Sequence, residues 1–119
     1  MEFEKPVNYL HAQRSGVKFA ILKLSEKPEH FTCSSLREAL LLRISMRAIE
    51  HRAQFRSENH MRSATTDHTS LFEGFRNGAQ FVIDELPANT LYFLTEKTLE
   101  NSIAHIKKEI DNLSPKIFS

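Results

Sequence analysis

Length, composition and charge describe one ordinary globular domain. The chain has 119 residues, of which 26% are charged and 40% are apolar, and its formal net charge is +1. This composition excludes a disordered chain, and the small net charge by itself indicates no nucleic-acid or membrane partner. A chain of this length can bury a sufficient core without a disulfide or a structural metal. We therefore treat residues 1–119 as a single domain.

Cysteine content and the lengths of the apolar runs indicate the compartment. Cys33 is the single cysteine, so no disulfide can form within the chain and a reducing compartment is expected. Residues 1–6 lack the apolar core of a signal peptide. The longest apolar runs, such as residues 91–94, have four residues, far fewer than a membrane span needs. We expect a cytoplasmic protein that does not associate with a membrane.

The N-terminal segment, residues 1–34, is expected to contain extended structure. Residues 17–24 place alternate large apolar side chains on one side and include β-branched and aromatic residues, which favours a strand. Residues 6–16 have two interpretations: the other arm of a β-hairpin, or a short helix that begins at Pro6 and ends at Gly16. We favour a short hairpin or strand, followed by a connection to the next element.

Residues 35–62 are predicted to form one long helix at the centre of the fold. Ser35 and Glu38 have the spacing of a capping box, in which each side chain accepts a hydrogen bond from the other residue's backbone N–H. No Gly or Pro interrupts the segment. Two apolar flanks follow the helix: Leu41, Ile44, Ala48 and Phe55 on one side, and Leu42, Met46, Ile49 and Ala53 on the other. Two apolar flanks require two neighbouring elements, so we expect this helix to be the central one.

Two amphipathic helices are predicted in the second half of the chain, at residues 70–86 and 95–113. A capping box at Ser70 opens the first helix, and Pro87 ends it. Thr95 caps the last helix, whose apolar residues recur at steps of four and three, as in helices that pair at a shallow angle. The sequence therefore predicts a mainly α fold. It has a three-helix core around the long helix and a short N-terminal β-hairpin or strand, with an α+β arrangement as the alternative.

Four arginines of the long helix suggest a contact with nucleic acid. Arg43 and Arg47 lie together, whereas Arg52 and Arg56 lie nearly opposite, at about 100° per residue. A helix that follows a nucleic-acid groove gathers its cations on one face. Each of these pairs also has a glutamate nearby. We therefore favour structural ion pairs, and nucleic-acid binding through these four arginines remains the alternative.

A pair of glycines marks a candidate partner-binding surface. Gly74 and Gly78 stand four residues apart inside a predicted helix, where each costs about 1 kcal/mol relative to alanine. The usual compensation is a close backbone approach by another element. Phe81 projects on the same side and is a large apolar residue of the kind that dominates interfaces. We therefore predict that Gly74, Gly78 and Phe81 bind a partner.

Recognised enzyme and metal motifs are missing from the sequence. It contains no nucleophile elbow, phosphate-binding loop or dinucleotide fingerprint, and its histidines and cysteine do not have a zinc-site spacing. We expect no catalytic residue, no metal and no cofactor, although a site assembled in three dimensions leaves no local motif. The leading hypothesis is a small non-enzymatic interaction protein, a regulator or adaptor, that acts as a homodimer and binds another protein. A nucleic-acid-binding regulator is the alternative, and an enzyme with a site between helices is third.

Overall fold

The computed structural model describes residues 6–59 and 67–118, which fold into four helices. The helices are α1 (Tyr9–Ser25), α2 (Ser34–Asn59), α3 (His68–Glu85) and α4 (Glu96–Asp111), with short 3-10 turns at Pro28–His30, Leu86–Tyr92 and Pro115–Phe118. The prediction of a mainly α fold is confirmed. No strand occurs within the described ranges, where the one β contact is an isolated bridge between Phe31 and Phe93.

The predicted N-terminal hairpin is wrong, because this segment forms helix α1. The side-chain oxygen of Asn8 caps α1 by accepting from the backbone N–H of His11 at 2.9 Å. The buried residues of α1 recur at helical spacing: Tyr9, Ala12, Gln13, Gly16, Phe19, Ala20 and Leu24. The alternation that suggested a strand arises because α1 has a broad apolar face, and Gly16 lies inside the helix rather than at its end.

Helices α1 and α3 pack backbone against backbone through all three glycines of the chain. A Cβ atom on Gly16 would lie 1.9 Å from the backbone oxygen of Phe75, and one on Gly78 would lie 1.9 Å from the backbone oxygen of Gln13. A Cβ atom on Gly74 would lie 2.8 Å from a third backbone oxygen, also in α1. Only glycine leaves room for the two helices to approach this closely.

The centre of the fold is α3, and the prediction that the long helix α2 is central is wrong. The buried residues of α3 span more than half of its circumference: Leu71, Gly74, Phe75, Gly78, Ala79, Phe81, Val82 and Ile83. The Phe75 ring contacts Phe19 of α1 and Phe118 of the C-terminal turn, with centroids 5.1 and 5.5 Å apart. Helix α2 lies to one side, since the described residues cover only one of its two apolar flanks.

The predicted start of α2 and both predicted ends of α4 agree with the structure to within a few residues. α2 begins at Ser34, one residue before the predicted cap Ser35, and residues 60–62 of that prediction lie outside the described residues. The cap at Thr95 is confirmed, since its hydroxyl accepts from the backbone N–H of Thr98 at 3.1 Å. The apolar seam of α4 faces the core, and its buried residues are Leu99, Ser102, Ile106 and Ile110.

Helix α3 begins two residues before the predicted cap Ser70, because Asp67 caps it. The Asp67 carboxylate accepts from the backbone N–H groups of Ser70 and Thr69, each at 3.1 Å. The bond from Ser70 is the main reason that the pKa of Asp67 is lowered. A charged side chain at this position also suits the positive end of the helix dipole.

Candidate protein-interaction surface on the second helix

The three residues predicted to bind a partner are buried within the chain. α1 lies against Gly74 and Gly78, so the close backbone approach that the glycines indicated comes from the same chain. Phe81 is 9% exposed and packs against His51 and Phe55 of α2, with ring centroids 5.1 and 6.2 Å away. The close contacts that suggested a partner at these residues are therefore made within the chain.

An apolar stripe lies exposed along the outer side of α2. Leu42, Met46 and Ile49 are 62%, 55% and 59% exposed, and the exposed residues Ala39 and Ala53 extend the stripe at its two ends. These five residues, the outer stripe, recur at steps of three and four and lie within about 80° of the helix circumference. They include the second apolar flank that the sequence predicted. No element in the described ranges covers them.

The opposite side of α2 anchors the helix to the rest of the chain. Leu40 and Ile44 are fully buried, and Leu41, Ala48 and Phe55 are partly buried against the core. This contact extends over four turns of α2. The outer stripe is therefore held on a helix whose position the core already fixes.

Charged residues flank the outer stripe on one side. Arg47 donates to Glu50 at 2.9 Å and lies 3.7 Å from Glu85 of α3. Arg47 therefore forms structural ion pairs of the kind that the sequence predicted, and exposed pairs of this type contribute about 0–1 kcal/mol. Arg43 is exposed on the same flank, one turn away.

A groove of about 610 Å³ lies between α1 and α2. Its apolar floor is formed by Val17 and Ile21 of α1 together with Ala48, Ile49 and Phe55 of α2. Both helices thus contribute large apolar side chains to one concave surface. The groove adjoins the outer stripe only at Ile49.

Four cations stand along the two walls of this groove. Arg14 and Lys18 come from α1, and Arg52 and Arg56 come from α2. All four are exposed, and none forms an ion pair with another described residue. The described residues that line the groove include no Asp or Glu. We call this surface the basic groove.

Sequence reasoning missed the basic groove because it placed Arg14 and Lys18 in or beside a hairpin. Their spacing of four residues was the available signal, since residues i and i+4 share one face of a helix. The predicted cations Arg52 and Arg56 lie in the groove. The structure thus separates the four arginines into two groups, as their helical positions indicated.

A partly buried hydrogen bond of 2.7 Å joins His30 to Ser102 of α4. Ser102 is 1% exposed, so its hydroxyl has no open access. Burial lowers the pKa of His30 below its usual value of 6.5; Glu29 opposes this effect, whereas Lys27 and His105 add to it. The hydrogen bond between His30 and Ser102 therefore links the first 3-10 turn to α4.

The described residues contain no metal cluster and no membrane-spanning helix. No three His, Cys, Asp or Glu side chains among them converge as ligands for an ion. None of their helices combines the length and apolar character that crossing a bilayer requires.

In the described ranges, fold and surface define a small four-helix domain that exposes one apolar helix face and one basic groove. No protein-family model, curated protein or solved structure matches this chain.

Proposed function

We propose that this chain is a protein-interaction module, a regulator or adaptor, that forms a homodimer through the outer stripe of α2. The observation that carries the proposal is the exposure of Leu42, Met46 and Ile49, each more than half exposed on one helix face. Large contiguous apolar patches are uncommon on monomers unless they serve an interaction. A second copy of the same stripe would remove both patches from water.

The spacing of the outer stripe suits another helix. Ala39, Met46 and Ala53 occupy one position of a heptad, and Leu42 and Ile49 occupy the other, as in the seam of a coiled coil. The stripe covers two heptads, about 21 Å at 1.5 Å per residue. So short a seam is marginal between free peptides, but here the core already folds each α2, so association carries no cost of helix formation.

The flanking charges are complementary between two antiparallel copies. Arg43 and Glu50 lie one heptad apart on the same side of the outer stripe. In an antiparallel pair, Arg43 of one copy faces Glu50 of the other, and the two-fold axis repeats this contact. Arg47 already lies beside Glu50 within each chain. The pairing therefore extends an existing charge network and favours one orientation.

The variant Met46→Glu tests this proposal at the centre of the outer stripe. Glutamate is compatible with an exposed helix but places a charge in an apolar interface. We expect light scattering to give the mass of one chain, with unchanged helical circular dichroism. Leu91→Glu is the matched control, because Leu91 is 72% exposed and lies outside the outer stripe, and it should keep the mass of the wild type. Equal masses for the two variants would contradict the proposal.

A nucleic-acid-binding regulator is the second candidate, and one observation favours it. Arg52 and Arg56 stand with Arg14 and Lys18 around the basic groove, so cations from two helices converge. The other two arginines of the prediction lie on the far side of α2, and surfaces that bind nucleic acid are more polar than this apolar floor. Titration with a labelled DNA duplex tests the candidate, and an affinity that falls steeply with salt would support it.

A further inference from the structure

We infer that the basic groove binds an acidic amphipathic helix of a partner protein. The inference rests on the proposed interaction function and names the chemistry of the partner. The groove is distinct from the dimer surface, because Ile49 is the one residue of the outer stripe among the residues that line the groove. A dimer formed through the outer stripe can therefore keep both of its grooves open.

The floor of the groove requires an apolar ligand surface. Val17, Ile21, Ala48 and Phe55 are each partly buried against the core and keep part of their surface open to the groove. Apolar side chains of a ligand would remove this remaining surface from water, which is favourable. A ligand that carried only charge would leave the floor solvated.

The dimensions of the groove fit a short helix. Its lining runs from residue 8 to residue 21 along α1 and from residue 45 to residue 56 along α2. These stretches correspond to about 20 and 16 Å at 1.5 Å per residue. About three turns of a third helix fit this length, and three turns present apolar residues at i, i+3, i+4 and i+7.

The positions of the groove cations indicate that the partner helix carries acidic residues on both flanks of its apolar face. Each wall of the groove presents two cations that are four residues, or about one helical turn, apart. These are Arg14 and Lys18 on one wall and Arg52 and Arg56 on the other. A single carboxylate, as on a fatty acid, would leave most of these charges unmatched. A helix with Asp or Glu on both flanks of its apolar face matches all four.

A labelled helical peptide of about 14 residues tests the inference by fluorescence anisotropy. The probe carries Leu at i, i+3, i+4 and i+7 and Glu on both flanks, and its control carries Lys in place of each Glu. We expect the wild-type chain to bind the Glu probe at least tenfold more tightly than the Lys control. The affinity for the Glu probe should fall as salt is added, because the groove cations are exposed and therefore screened.

Two charge-reversal variants locate the binding site. Arg52→Glu combined with Arg56→Glu should weaken binding of the Glu probe by roughly tenfold or more. Lys107→Glu combined with Lys108→Glu is the matched control, because it changes the net charge equally at exposed sites on α4. The control should leave the affinity within about twofold of the wild type. Circular dichroism confirms that both variants remain helical.

Equal binding of the two peptides, or unchanged binding by the double arginine variant, would overturn the inference. Binding of a labelled DNA duplex together with no binding of the Glu probe would also overturn it, in favour of nucleic acid. The mass of the wild-type chain in solution tests the dimer proposal separately from this inference. A dimer that ignores the Glu probe rejects the groove alone, and a monomer that binds it rejects the dimer alone.

Discussion

The position that a Cβ atom on Gly78 would occupy lies 1.9 Å from the backbone oxygen of Gln13. A Cβ atom on Gly16 of α1 would likewise lie 1.9 Å from the backbone oxygen of Phe75 in α3. Because both obstructions are backbone atoms, a change of side-chain rotamer cannot relieve them. The glycines that in the sequence resembled a docking site for a partner are therefore the contact between α1 and α3.

Gly78→Ala should destabilise the chain by about 1–3 kcal/mol or more, because the new methyl group meets backbone on the facing helix. The measurement is the free energy of unfolding by chemical denaturation. Alanine has the higher helix propensity by about 1 kcal/mol, so a net loss isolates the steric effect. Gln80→Ala, at an exposed position of the same helix, should change stability by less than about 0.5 kcal/mol. A stabilised Gly78→Ala variant would contradict the close contact.

The sequence predicted α3 and α4 well because their signals are local. Pro87 lies two residues after the last residue of α3, Thr95 caps α4, and both helices have strongly periodic apolar residues. It failed for α1 because the large apolar side chains at 17, 19 and 21 imitate a strand. The small buried residues Ala12 and Gly16 complete the helical pattern. A pattern that is judged from large apolar side chains gives these two residues little weight.

The role of α2 could be predicted only in part. The sequence shows that Leu42, Met46 and Ile49 form an apolar face, but it does not show whether the chain itself covers that face. The basic groove depends on residues of α1 and α2 that meet only in the folded chain. For the same reason, the pairing of Gly16 with α3 could not be found from local patterns.

His30 should make the stability of the chain fall as the pH drops below about 6.5. Burial holds the pKa of folded His30 below its usual value of 6.5, so the unfolded chain binds this proton more readily than the folded chain does. The contribution of neutral His30 is complete above pH 6.5 and is lost as the pH falls through 6.5 towards the lowered folded pKa. Urea denaturation at a series of pH values measures this dependence.

His30→Gln removes the titrating group and keeps a polar side chain near Ser102. Its free energy of unfolding should therefore change less with pH than that of the wild type across this window. His68→Gln, at an exposed histidine, should retain the wild-type dependence. A wild-type slope in the His30→Gln variant would show that His30 does not contribute to it.

A charge exchange tests the antiparallel orientation of the proposed dimer. Arg43→Glu should weaken the dimer by roughly tenfold, because two symmetric contacts with Glu50 become repulsive and each exposed pair is worth about 0.2–1 kcal/mol. Glu50→Arg should have a similar effect, and the double variant should recover most of the wild-type affinity in sedimentation equilibrium. Parallel pairing would place Arg43 beside Glu38, and the double variant would then remain weak.

The central claim is that the outer stripe of α2 joins two copies of the chain. The mass of the wild-type chain in solution tests this claim most directly. One chain has a mass of 13.8 kDa. Light scattering over a concentration series should give twice this mass at micromolar concentrations and a decline towards one chain on dilution, whereas Met46→Glu should have the mass of one chain throughout. The mass of one chain for the wild type at every concentration would contradict the claim.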